Sequence, residues 1–232
     1  MFFLPVWGCV LFRSVQNDLN ADLALSQSFC LEQYKMPRSL EFDPETARAA
    51  IMGVFWTKGY EGTTLSDLES ATSLVRTSLY NSFGKKPEMF LDSLKLYHET
   101  IENQIEAITR GRGSESLIEV ISAMMEGADK ASQQPAGCLM VMSATQSKTI
   151  EPRHLQLVRD YRQMLVGKAK QVLERDKQSG RLARYVDPAG AAEFLVCIVW
   201  GALAAQCLSA ERDAAADGAD MLKMTIQHWL SD

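Results

Sequence analysis

The stretch TTLSDLESATSLVRTSLYNSFGKK, Thr63 to Lys86, decides the fold class. Thr64 can accept from the backbone ahead of it while Asp67, three positions on, reaches back, a reciprocal capping pattern that starts a short helix from Leu65 to about Ala71. Thr72-Ser73-Leu74 leaves room only for a tight turn. Arg76 to Phe83 then resumes helical spacing, with Leu79 and Phe83 turned inward. Two short helices across such a turn make a helix-turn-helix.

Working outward, Ala47, Ile51, Val54 and Phe55 share one face of a preceding helix, Pro44 to about Lys58, with Asp43 as its cap and Gly59 able to end it in a left-handed conformation. Pro87 opens a long fourth helix to about Arg110, its buried stripe made by Phe90, Leu94, Tyr97, Ile101 and Ile105. Further helices are expected over Glu115 to about Ser132, Gly137 to about Ser147, Pro152 to about Gln178, Pro188 to about Leu208 and Glu211 to Leu230. With 47% apolar residues and only 14 glycines and 7 prolines in 232, the composition also favours an all-α protein with a sizeable core. No strand-like alternation of useful length and no internal repeat is present.

The second helix of a helix-turn-helix enters the major groove, where its early residues reach base edges and flanking groups hold phosphates. Here it offers Arg76, Thr77, Ser78, Tyr80 and Asn81. Between Ser73 and Pro87 there are three basic residues and no acidic one. Arg76 suits a two-pronged bond to guanine, Tyr80 a phosphate, and Lys86 a phosphate at the start of the fourth helix; the alternative for Arg76 and Lys85 is a solvated charge. The net charge of −5 excludes a broad, nonspecific coat of nucleic acid but leaves a small local reading surface.

Gly59-Tyr60, Thr63-Thr64-Leu65, Asp67-Leu68, then Ser78-Leu79-Tyr80-Asn81-Ser82-Phe83-Gly84-Lys85-Lys86 and Phe90 resemble the DNA-binding signature of the TetR family of regulators. Ser73 stands where that family usually has glycine in the turn. Val75 replaces the usual serine or threonine cap of the reading helix, so Ser73 is the expected substitute cap. The resemblance implies a helix-turn-helix domain over residues 36–86, Thr64 among its DNA contacts, and a ligand-binding and dimerisation domain over residues 87–232. It implies a ligand-responsive regulator, a repressor in the usual case, that binds a near-palindromic double-stranded DNA operator as a homodimer and is released by a small-molecule inducer. The ligand cavity is expected among helices four to seven, with Tyr97, Met124, Met140, Tyr161, Met164 and Trp200 as candidate lining residues, each of which is otherwise ordinary core.

The last two helices carry more apolar face than one side of a small bundle requires. Phe194, Ile198, Ala202, Ala205 and Gln206 on one, with Met221, Thr225 and Trp229 on the other, are expected to meet a symmetry mate in a four-helix interface. An enzyme is disfavoured because His98, His154 and His228 lie far apart and no phosphate loop or nucleophile–base spacing is present. A helical protein-binding adaptor is the other open reading. The five cysteines have neither zinc nor disulfide spacing, so no metal and no cofactor is expected, and a reducing cytoplasm is the expected setting. Cys138 is either a thiol sensor or an ordinary buried thiol. Met1 to Phe12 is too short to span a bilayer, no membrane partner is expected, and residues 1–35 read as a poorly ordered extension ahead of a functional start near Met36.

Overall fold

A computed structural model of the protein describes residues 42–125, 137–208 and 216–230. The extension expected over residues 1–35 lies outside them. Among the described residues there are nine helices and no strand beyond an isolated bridge between Leu182 and Leu230.

Helix α1 (Pro44–Gly62) is capped by Asp43, whose carboxylate accepts from the N–H groups of Glu45 and Thr46. Its helical path breaks at Gly59, which has φ 70° and ψ 174°. The expected stop is therefore present, but one more turn follows it, to Gly62. Helix α2 (Leu65–Thr72) has the expected reciprocal cap: Thr64 Oγ1 accepts from Asp67 N–H, and Thr64 N–H donates to Asp67 Oδ2 at 2.8 Å. Helix α3 (Arg76–Phe83) follows a turn in which Ser73 is left-handed, with φ 58°. The expectation that Ser73 caps α3 fails: Val75 occupies the N-cap position and no side chain caps the helix. In a left-handed turn Ser73 does the conformational work of the glycine it replaces, two residues too early to cap.

Helix α4 (Lys86–Thr109) joins this head to the rest of the molecule. Its first buried residues, Met89, Phe90 and Leu94, pack with Phe55, Leu68 and Leu79 of α1–α3, while Ile101 and Ile105 belong to the larger half. That half holds α5 (Glu115–Met125), α6 (Leu139–Thr145), α7 (Pro152–Gln178), α8 (Pro188–Leu208) and α9 (Ala216–Trp229). Helix α6 is shorter than its expected span, because Gly137 takes φ 79° and Cys138 is extended ahead of it. The expected run of α5 beyond Met125, and of the last helix before Ala216, falls outside the described residues.

One continuous core runs from Ile51 to Ile226. Buried Asp176, at the end of α7, pins the α4–α5 connection by accepting from Ser114 N–H at 2.6 Å, and its other oxygen pairs with Arg181. Helix α8 is, among the described residues, the one helix long and apolar enough to cross a membrane by length and composition, with 33% of that stretch buried. Its buried face (Ala192, Leu195, Val199, Leu203) belongs to the core.

Candidate nucleic-acid interface

Helix α3 is short and lacks a side-chain cap, so propensity alone would not hold it. Leu79, fully buried against the α1–α4 core, anchors it, and Phe83 packs on Phe42 with ring centroids 6.0 Å apart. This anchoring presents Val75, Arg76, Thr77, Tyr80 and Asn81 to solvent on one short helix. Ser78, expected among the outward residues, is half-buried.

Arg76 is not a free cation. Its guanidinium lies 3.6 Å from Glu69 of α2, a partly exposed pair of the kind that contributes little to stability. The pairing nonetheless limits where the guanidinium rests when no ligand is present. Thr64 is exposed, but its hydroxyl is committed to Asp67. Asp67 in turn is held down to about 2 by the ammonium of Lys58 and the Thr64 N–H. Lys86 is half-buried with Nζ 4.7 Å from the centroid of the Tyr60 ring, a cation–π placement, and burial lowers its pKa. The acid-free run seen along the sequence is thus bordered in space by Glu69 and Glu88, the latter accepting from Lys85 N–H at 3.1 Å.

Three polar links tie α1 and α4 to one another and to α6 and α7. Arg48 of α1 grips Asp92 of α4 with two bonds of 2.8 Å. Tyr60 N–H, just after the Gly59 break, donates to Gln146 Oε1 beyond the end of α6 at 3.0 Å. His154 of α7 is 2.9 Å from the Pro87 carbonyl through Nε2 and 3.1 Å from Glu151 N–H through Nδ1. A carbonyl only accepts and an amide N–H only donates, so the ring must be neutral with its proton on Nε2; burial, the largest influence, also lowers its pKa. Arg153 adds an ion pair to Glu88 at 2.9 Å. Sequence reasoning found neither Gln146 nor His154, because a single polar residue at a helix end carries no periodic signal.

An apolar cavity of about 40 Å³ lies among α4, α5, α7 and α8, lined by Ile105, Leu117, Ile121, Met124, Leu165 and Val199 among others. Lys168 is the charged member of its wall and pairs with Glu102 at 3.6 Å and Glu106 at 2.8 Å. Of the candidate lining residues only Met124 is on this wall. Tyr97, Tyr161 and Trp200 instead form a chain of ring contacts at 5.9 and 6.3 Å, Met140 is fully buried and Met164 partly so. Cys138 is buried, accepts from the Tyr97 hydroxyl at 3.3 Å, and has its thiol pKa raised by burial, the environment of an unreactive thiol.

The apolar residues of the last two helices divide. Phe194, Ile198 and Met221 are 45%, 40% and 62% exposed, and Ala202, Ala205, Thr225 and Trp229 half-buried, with Trp229 against Phe194 at 6.0 Å. Gln206, expected on the same face, is buried and donates to the Met125 carbonyl. Among the described residues no group of three His, Cys, Asp or Glu is placed to hold a metal ion.

Residues 48–92 match the family described as bacterial regulatory proteins, tetR family. Over 189 residues the chain is 27% identical to the HTH-type transcriptional repressor ComR of Escherichia coli (strain K12), covering 77% of this chain and 86% of that protein. Two solved structures share the fold. A TetR-family transcriptional regulator from Cytophaga hutchinsonii superposes with a TM-score of 0.71 at 17% identity, over 81% of this chain and 94% of that one. A cysteine mutant of the TetR-family regulator CifR, complexed with 26-base-pair operator DNA, superposes with a TM-score of 0.70 at 23% identity, over 83% of this chain and all of that one.

Proposed function

We propose that the chain is a DNA-binding transcriptional regulator of the TetR family, acting as a homodimeric repressor of a near-palindromic operator and released by a small apolar inducer. The observation that carries this reading is the exposed row Arg76, Thr77, Tyr80 and Asn81 on a helix fixed from beneath by buried Leu79. The repressor role is supported by the relative ComR, and operator binding by the CifR complex. Residues 36–86 are the reading head and residues 87–232 the regulatory part, working in the cytoplasm.

Two heads are needed to read a palindrome, and the exposed apolar surface around Phe194, Ile198 and Met221 supports a two-fold pairing through α8 and α9. The inducer site is the cavity bounded by Ile105 and Met124 rather than the aromatic cluster around Tyr161. Its small volume means that a ligand must push its walls apart. Helix α4 supplies part of the wall at Ile105 and also carries Pro87, which His154 holds, so displacement of α4 is transmitted to the head. Such coupling is worth about 1–3 kcal/mol, and it is reciprocal.

The experiment is selection of bound duplexes from a random pool, repeated with Arg76→Ala. The wild-type chain should enrich an inverted repeat and the variant should lose a guanine preference in each half-site. Enrichment of no sequence by the wild-type dimer would sink the reading. An inducer must bind less tightly when operator is present; equal affinity in both conditions excludes the proposed release mechanism for that compound.

A further inference from the structure

We propose that Val75 is a specificity residue of the reading head, packing its isopropyl group against the C5-methyl of a thymine in each operator half-site. The inference rests on the DNA-reading role of α3 and adds a contact to it. Val75 sits at the leading end of α3 and is 65% exposed, on a surface otherwise made of Arg76, Thr77, Tyr80 and Asn81. An exposed branched apolar group at an N-cap is unfavourable on its own terms, since that position rewards an oxygen that can accept from the helix N–H groups. Here no side chain does so. The residue that would ordinarily stabilise the helix start has been replaced by one that offers only an apolar surface.

The backbone that carries this side chain is held in place. Val75 O accepts from Leu79 N–H at 3.1 Å, Leu79 is fully buried, and Thr72 Oγ1 accepts from Leu74 N–H at 3.3 Å in the turn just before. A β-branched side chain has little rotamer freedom to lose on contact. In the major groove, thymine alone presents a methyl group, so a fixed apolar residue at the leading end of a reading helix discriminates thymine from the other bases. The uncapped N–H groups of α3 stay open to a phosphate oxygen beside it.

The test uses the full chain and the strongest duplex selected by it. Each thymine is replaced in turn by 2′-deoxyuridine, which pairs identically but lacks the methyl. One substitution per half-site should weaken wild-type binding about three- to fivefold and leave Val75→Gly binding unchanged. Val75→Ser, which restores a cap, should bind with thymine preference at that position lost in a repeat of the selection. Indifference of the wild-type protein to every uracil substitution, or an equal loss in Val75→Gly, would overturn the inference while leaving operator recognition intact. A chain that selects no duplex would overturn both.

Discussion

At the scale of single residues, the proposed reading surface brings together a few groups whose chemistry differs. Arg76 carries a fork suited to guanine, so Arg76→Ala should cost about 1–3 kcal/mol of operator discrimination in a binding titration. Lys86, a point charge over the Tyr60 ring, suits a phosphate. Lys86→Ala should weaken all duplexes alike and reduce the slope of log affinity against log salt by about 1 per subunit. His154 is a third kind of residue, since its neutral ring joins α7 to the first turn of α4. With its folded pKa lowered by burial, beside Glu88, Glu151 and Arg153, the unfolded chain takes up the proton first as pH falls below about 6.5. Stability is therefore intact above that pH and declines beneath it. Melting temperatures measured from about pH 7.5 to 5.5 should fall more steeply for wild type than for His154→Leu; parallel slopes would remove His154 from this role. The exposed placement of Arg76 on α3 was legible in the sequence because the helix-turn-helix pattern assigns its position, whereas the role of His154 became visible only once α7 lay across α4.

At the scale of elements, local caps and a local break shape the head. The Thr64–Asp67 pair starts α2 as its spacing requires, and buried Leu79 fastens α3 from below. The break at Gly59 has a positive φ with extended ψ, a region open essentially to glycine alone, and a Cβ there would collide with the Gln146 amide that Tyr60 N–H uses. Gly59→Ala should cost about 1–3 kcal/mol of unfolding free energy by denaturant titration, and should loosen the head's link to α6 as well. A stability change near zero would mean that the break is not constrained as described. The end of regular helix at this glycine was readable from the chain, but the extra turn to Gly62 was not, because it depends on a partner 86 residues away.

At the scale of the whole molecule, the exposed apolar surface of α8 and α9 is where the proposed pairing of two copies is tested. Ile198→Asp puts a charge on the surface assigned to the symmetry mate, so sedimentation should show a monomer with helical content retained and subunit stability altered by less than about 1 kcal/mol. Operator affinity should fall with it, since a lone head reads half a site; an unchanged dimer would place the interface elsewhere. The helices, the capped start of α2 and the tight turn before α3 were legible in the chain alone, because caps, turns and apolar periodicity act over a few residues. Helix packing alone settles that Gln206 is buried while Phe194 is exposed, that Tyr97 and Tyr161 pack around Cys138, and that the cavity is walled by Leu117 and Val199. An apolar side chain has the same local signature whether it faces its own core, a hollow or a second subunit. Which of these it meets depends on how distant helices stack.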